Sequence, residues 1–187
     1  MLSSGKRWKL IILVINVVFF SLSAFTSAEP LNIAAKEGNL DEVKRLIKEG
    51  ADIETKDISG STPLYNAVDV GNRDIVEFLI SKGANVNVNC QSGWTPLHRA
   101  AQLFGGDKEM VKLLIANGAD VNAVEENGIT PLHLVSHYNL TEIAEILIAN
   151  GANLNAVSKA GKTPLREAEV SGSKEAMELL IEHGAQK

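Results

Sequence analysis

Cysteine is almost missing from this chain. Cys90 is the only one among 187 residues, so no intramolecular disulfide can brace the fold. Aromatic residues are also scarce, at 5%, while the apolar fraction reaches 45%. A core of Leu, Ile, Val and Ala is therefore implied, and the composition argues against disorder. Basic residues are not in excess: the net charge is −5. Phosphate contacts need clustered Lys or Arg, so nucleic acid is not expected as a partner. The acidic balance mainly favours solubility. No Cys-His-Asn spacing supports Cys90 as a nucleophile, and no glycine-rich phosphate loop is present.

Long hydrophobic runs are limited to one stretch at the N-terminus. Lys6, Arg7 and Lys9 precede the apolar run Leu10 to Phe20, and small residues follow up to Ala28. A charged start, an apolar middle and a small-residue exit form the pattern of a secretory signal peptide cleaved after Ala28. The strictly apolar run is short for a membrane span, which needs roughly 17–25 residues. Leu10 to Ala28 could span only if left uncleaved. Cleavage would also remove Lys6, Arg7 and Lys9 and take the net charge from −5 to −8. The expectation is an exported protein, periplasmic or secreted. The alternative is a single-pass anchor, which would bring a membrane into play.

What is abundant is repetition. Thr-Pro-Leu begins at Thr62, Thr95, Thr130 and Thr163. Gly-Ala followed by Asp or Asn begins at Gly50, Gly83, Gly118 and Gly151. Pro30, Pro63, Pro96, Pro131 and Pro164 are spaced 33, 33, 35 and 33 residues apart. A fixed period of this size marks a stacked array. Within one period, Thr62 can cap a helix that Pro63 starts. Gly71 ends that helix. A second helix from about Asp74 carries Ile75, Val76, Phe78, Leu79 and Ile80, and Gly83 stops it. Helices this short are marginal alone, so the periods must bury their faces on one another. The acidic residue near the start of each second helix (Asp41, Asp74, Glu109, Glu142, Glu175) suits the helix dipole and is read as structural.

With several motif pieces recurring in phase, the chain from Pro30 to Lys187 resembles an ankyrin-repeat protein. The resemblance implies an all-α solenoid of stacked helix-turn-helix units with extended β-turn fingers. Residues 1–28 are read as the signal segment and 29–187 as the repeat domain, with repeats at about 30–56, 57–89, 90–124, 125–157 and 158–187. The first and last are capping repeats: Glu42 and Arg45 stand where later repeats have Ile75 and Phe78, and Arg166, Glu167 and Glu169 make the last first-helix polar. Repeat three is longer by two residues, most simply Phe104 and Gly105, between its helices. His98 and His133 sit at the family's histidine position, where the resemblance implies a hydrogen bond that ties one repeat's turn to the next. The asparagines Asn87, Asn122 and Asn155 resemble the family's turn asparagine.

Candidate chemistry is thin. His133 and His137 are four residues apart, but no third ligand completes a metal site. Asn139-Leu-Thr141 is a glycosylation sequon, and Asn139 also replaces the glycine found at Gly71 and Gly106, as a left-handed position allows. Neither a cofactor nor a catalytic constellation is expected, so the protein is read as non-enzymatic. The resemblance implies binding of another protein on the cupped face formed by turn tips and first helices. Mapping by repeat phase puts Ile58, Val70, Trp94, Leu103, Phe104, Ile129, His137 and Tyr138 on that face, with Trp94, Phe104 and Tyr138 in adjacent repeats as aromatic anchors. A monomer is expected.

Overall fold

The computed structural model describes residues 28–90, 92–102 and 105–186. Among them are ten helices in five consecutive pairs. The first helices of the pairs are α1 (Ala28–Lys36), α3 (Pro63–Asp69), α5 (Pro96–Gln102), α7 (Pro131–His137) and α9 (Pro164–Ser171). The second helices are α2 (Leu40–Lys48), α4 (Arg73–Ser81), α6 (Lys108–Ala116), α8 (Thr141–Ala149) and α10 (Lys174–Glu182). No strand occurs among the described residues.

Each pair follows from local chemistry. The Thr62, Thr130 and Thr163 hydroxyls accept from the backbone N–H three residues on, and proline opens the helix without wasting a donor. After each first helix the chain passes through a left-handed residue: Gly38, Gly71 and Gly172, Gly105 and Gly106 in repeat three, and in repeat four Asn139 at φ 58°. Asn39, Asn72 and Asp107 then cap the second helix by accepting from Glu42, Ile75 and Met110 N–H. The acidic residue sits in the first turn of every second helix, as the dipole favours. The first helix alone begins differently: it starts at Ala28, so Pro30 is its third residue rather than its first.

First helices pack on first helices and second on second, giving two layers. The core repeats with the sequence. Leu31, Leu64, Leu97, Leu132 and Leu165 are all essentially inaccessible, as are Leu79, Leu114, Leu147 and Leu180 one layer across. Each such leucine contributes about 1.5–3 kcal/mol on leaving water. Helices of seven to nine residues persist only because this ladder of leucines is shared between neighbours.

Tight turns project between the pairs. Asp57, Cys90, Glu125 and Ser158 N–H each bond the carbonyl four residues on, and Gly60, Gly93, Gly128 and Gly161 N–H bond back. Asp57 Oδ1 collects the N–H groups of Ser59 and Ser61, and Glu125 Oε1 those of Asn127 and Ile129. Neighbouring turns are joined by backbone bonds, Glu126 N–H to Ser92 and Lys159 N–H to Asn127. At the array's first end, Arg45 lies exposed between Glu42 (2.7 Å) and Glu49 (2.6 Å). Phe78, which holds the place of Arg45 one repeat later, instead lies beneath the Lys44 ammonium, 6.0 Å from the ring centre.

Candidate protein-binding face

The residues expected to bind a partner fall into three groups. Leu103 and Phe104 lie outside the described residues. Ile58 (90% exposed), Val70 (41%) and Tyr138 (49%) are large apolar side chains in water, and His137 is exposed beside Tyr138. Trp94 and Ile129 are only half-buried. Trp94 leans on its own repeat, its ring 5.8 Å from the His98 ring. Ile129 contributes its carbonyl to the fold, as the acceptor for His98. Val170 is also exposed, at 56%.

The structure adds a feature that the repeat phase alone did not single out. The ends of the first helices are joined by polar contacts that run from repeat to repeat. Arg99 Nε donates to Asp69 of the preceding repeat, and its Nη1 reaches Gln102 at 3.4 Å. Gln102 Nε2 donates to the Tyr138 hydroxyl at 3.3 Å. The His137 and Tyr138 rings meet edge to face at 4.9 Å. His137 then lies 3.6 Å from the Glu167 carboxylate, which Lys162 also approaches at 3.3 Å. A chain of contacts thus crosses repeats two to five and fixes Tyr138 in its centre. The sequence signal was available: opposite charges about one repeat apart, Asp69 and Arg99. It was obscured because Asn66, Leu134 and Glu167 hold the position of Arg99 in the other repeats.

The two motif histidines face inward. His98 Nδ1 accepts from Thr95, with Oγ1 at 2.8 Å, and its Nε2–H donates to the Ile129 carbonyl at 3.0 Å. His133 repeats this with Thr130 (2.8 Å) and the Lys162 carbonyl (3.0 Å). Both rings are buried, and burial holds both below the usual histidine range against the pull of their carbonyl partners. His133 and His137 therefore do not act together: one is inside and the other outside. Among the described residues no three of His, Cys, Asp and Glu converge as a metal ion requires.

Asn139 has both side-chain atoms engaged. Its Nδ2 donates to Glu175 at 2.6 Å, and its Oδ1 accepts from Ala176 N–H at 2.9 Å. The turn asparagines bridge repeats in the same manner. Asn87 bonds Gly118 O and Asp120 N–H, and Asn122 bonds Gly151 O and Asn153 N–H.

Paired short helices, a shared leucine ladder and a projecting turn per repeat define a stacked-repeat scaffold for protein–protein interaction. A family model described as ankyrin repeats (3 copies) matches residues 31–125 and 103–187, and the chain belongs to the ankyrin-repeat family. Comparison with curated proteins returned no match.

Proposed function

We propose that this protein is an exported, non-enzymatic scaffold that binds another protein on the face built from the turns and first helices. One observation carries the reading. Val70, Tyr138 and Val170 stand exposed at the ends of first helices in three repeats, and Tyr138 is held there by Gln102 and His137. A half-exposed tyrosine fixed in one orientation loses little entropy on binding, which is the usual character of an interface anchor. The second helices carry one aromatic, Phe78, half-buried beside Lys44 and Lys82, and apart from Ile181 their outward positions are largely charged. Export is supported by the charged start, apolar run and small-residue exit of residues 1–28.

The test is site-specific photocrosslinking in the cell of origin. A photoreactive phenylalanine at Tyr138 or Val70 is expected to trap a discrete partner, whereas the same group at Glu145, on a second helix, is not. Equal capture from all three positions, or capture from Glu145 alone, would reject this face. In the same cells, a mass matching Glu29–Lys187 in a soluble exported fraction would support cleavage. Retention of residues 1–28 in the membrane fraction would instead make the protein a tethered adaptor, since the apolar run from Leu10 would then act as its anchor. Among the described residues no helix is long and apolar enough to cross a membrane.

A further inference from the structure

The hydrogen bonds that reach Tyr138 all run in one direction. Arg99 Nε donates to Asp69 of the preceding repeat. A guanidinium has five N–H groups and no acceptor, so whatever lies against its remaining nitrogens must present an oxygen. Gln102 does so: its Oε1 receives Arg99 Nη1 at 3.4 Å. That contact orients the whole carboxamide. Its other end, Nε2, is a donor only, and it reaches the Tyr138 hydroxyl at 3.3 Å. The Tyr138 oxygen therefore accepts.

A hydroxyl that accepts at its oxygen still has a hydrogen to place. Among the described residues no acceptor lies within bonding distance of it. Tyr138 is half-exposed, so in the free protein that hydrogen is left to water. The His137 ring meets the phenol edge to face and turns its own Nδ1 toward Glu167, away from this role. The carboxylates on the neighbouring first helices are already matched: Asp69 with Arg99, Glu167 with Lys162, and Glu169 with Arg166. A carboxylate brought to Tyr138 would find Arg99 already paired, and it would enter the field of a chain whose net charge is −5. An uncharged oxygen meets no such opposition.

We infer that Tyr138 meets its partner as a hydrogen-bond donor, and that the group it meets is an uncharged carbonyl oxygen of a protein segment. The inference rests on the proposed binding face and adds the polarity of its anchor. Arg99 and Gln102 become positioning residues: they hold the hydroxyl oxygen from behind and keep its hydrogen outward. A segment that offers an N–H at this point has to compete with Gln102 for the same oxygen, and the hydroxyl hydrogen is then left unpaired.

The test selects a phage-displayed library of random peptides on the immobilised protein and titrates the selected peptides onto purified variants. Peptides lost on Tyr138→Ala report this face. For these, Tyr138→Phe removes only the O–H and is expected to weaken binding about fivefold, the worth of one neutral hydrogen bond. Gln102→Glu reverses the polarity, because a carboxylate accepts from both Arg99 and the Tyr138 hydroxyl and turns its hydrogen inward. At high salt, where the added charge is screened, this variant is expected to weaken binding as much as Tyr138→Phe, although ring and hydroxyl both remain. Binding to the unsubstituted protein is expected to change little with salt. Full binding by Tyr138→Phe or by Gln102→Glu would overturn the inference and leave the face standing. So would a steep loss of affinity with salt, the mark of a carboxylate. If no selected peptide is lost on Tyr138→Ala, the face itself is rejected and the inference with it. Should Gln102→Glu fail to fold, Tyr138→Phe and the salt series decide.

Discussion

His98 and His133 use both ring nitrogens in neutral form, accepting at Nδ1 and donating at Nε2. Protonation would turn Nδ1 into a donor facing the threonine hydroxyl and N–H, and burial opposes it. The unfolded chain takes up those protons near pH 6.5, whereas the native rings resist until a lower pH. The unfolded state then binds more protons, so the stability present above pH 6.5 is lost as pH falls below it. Urea midpoints at pH 7.5 and 5.0 should show this loss, and replacing both histidines by Gln should remove most of the difference. Gly106 gives a second prediction. Its φ is +88°, and a Cβ there would lie 2.1 Å from Ile143 Cδ1. Gly106→Ala should cost about 2–4 kcal/mol from overpacking and backbone strain together. Ile143→Val removes the clashing methyl, so a double-mutant cycle by urea unfolding should recover the packing part and leave the strain.

The short helices were largely legible in the sequence because each carries its own punctuation. Thr-Pro starts, glycine stops and acidic first turns all fall where the structure places them. Asn139 was legible for the same reason: a glycine-phase position leaves few residues able to take φ 58°. The caps of the second helices were less so. Asn72 and Asp107 cap, but Leu140 and Ser173 at the same phase make no side-chain cap bond. In repeat four Asn139 instead caps the next repeat's helix through Ala176, a contact 37 residues away that no local pattern encodes. Asp107 both caps α6 through Met110 and receives Arg73 at 2.9 Å. Asp107→Ala should therefore destabilise by about 1–2 kcal/mol, the usual value of a cap, with a smaller share from the exposed ion pair. Comparison with Arg73→Ala by urea unfolding would separate the two.

Across the whole molecule, the face proposed to bind a partner was legible as a set of positions but not as a connected surface. Repeat phase identified Tyr138 and Val70. It did not reveal that Arg99 and Gln102 would connect Asp69 to Tyr138, because that depends on how neighbouring first helices lean together. The end of the array was clearer, since Glu42 and Arg45 interrupt an otherwise apolar pattern and lie on the outer face. Replacing them with the residues of the next repeat (Glu42→Ile with Arg45→Phe) should leave that end apolar and unpartnered. Light scattering is expected to show concentration-dependent association of this variant at a concentration where the unsubstituted protein is a single species.

The reach of the side chains has a consequence for how the protein is made. Among the described residues, no side-chain hydrogen bond joins residues more than 37 apart in the chain, the span from Asn139 to Ala176. Each repeat therefore finds its partners in the segment just synthesised, and none waits for the far terminus. A chain of this kind can assemble in step with its emergence from a ribosome or a translocation pore. The first pair of repeats would serve as a template on which each later one docks.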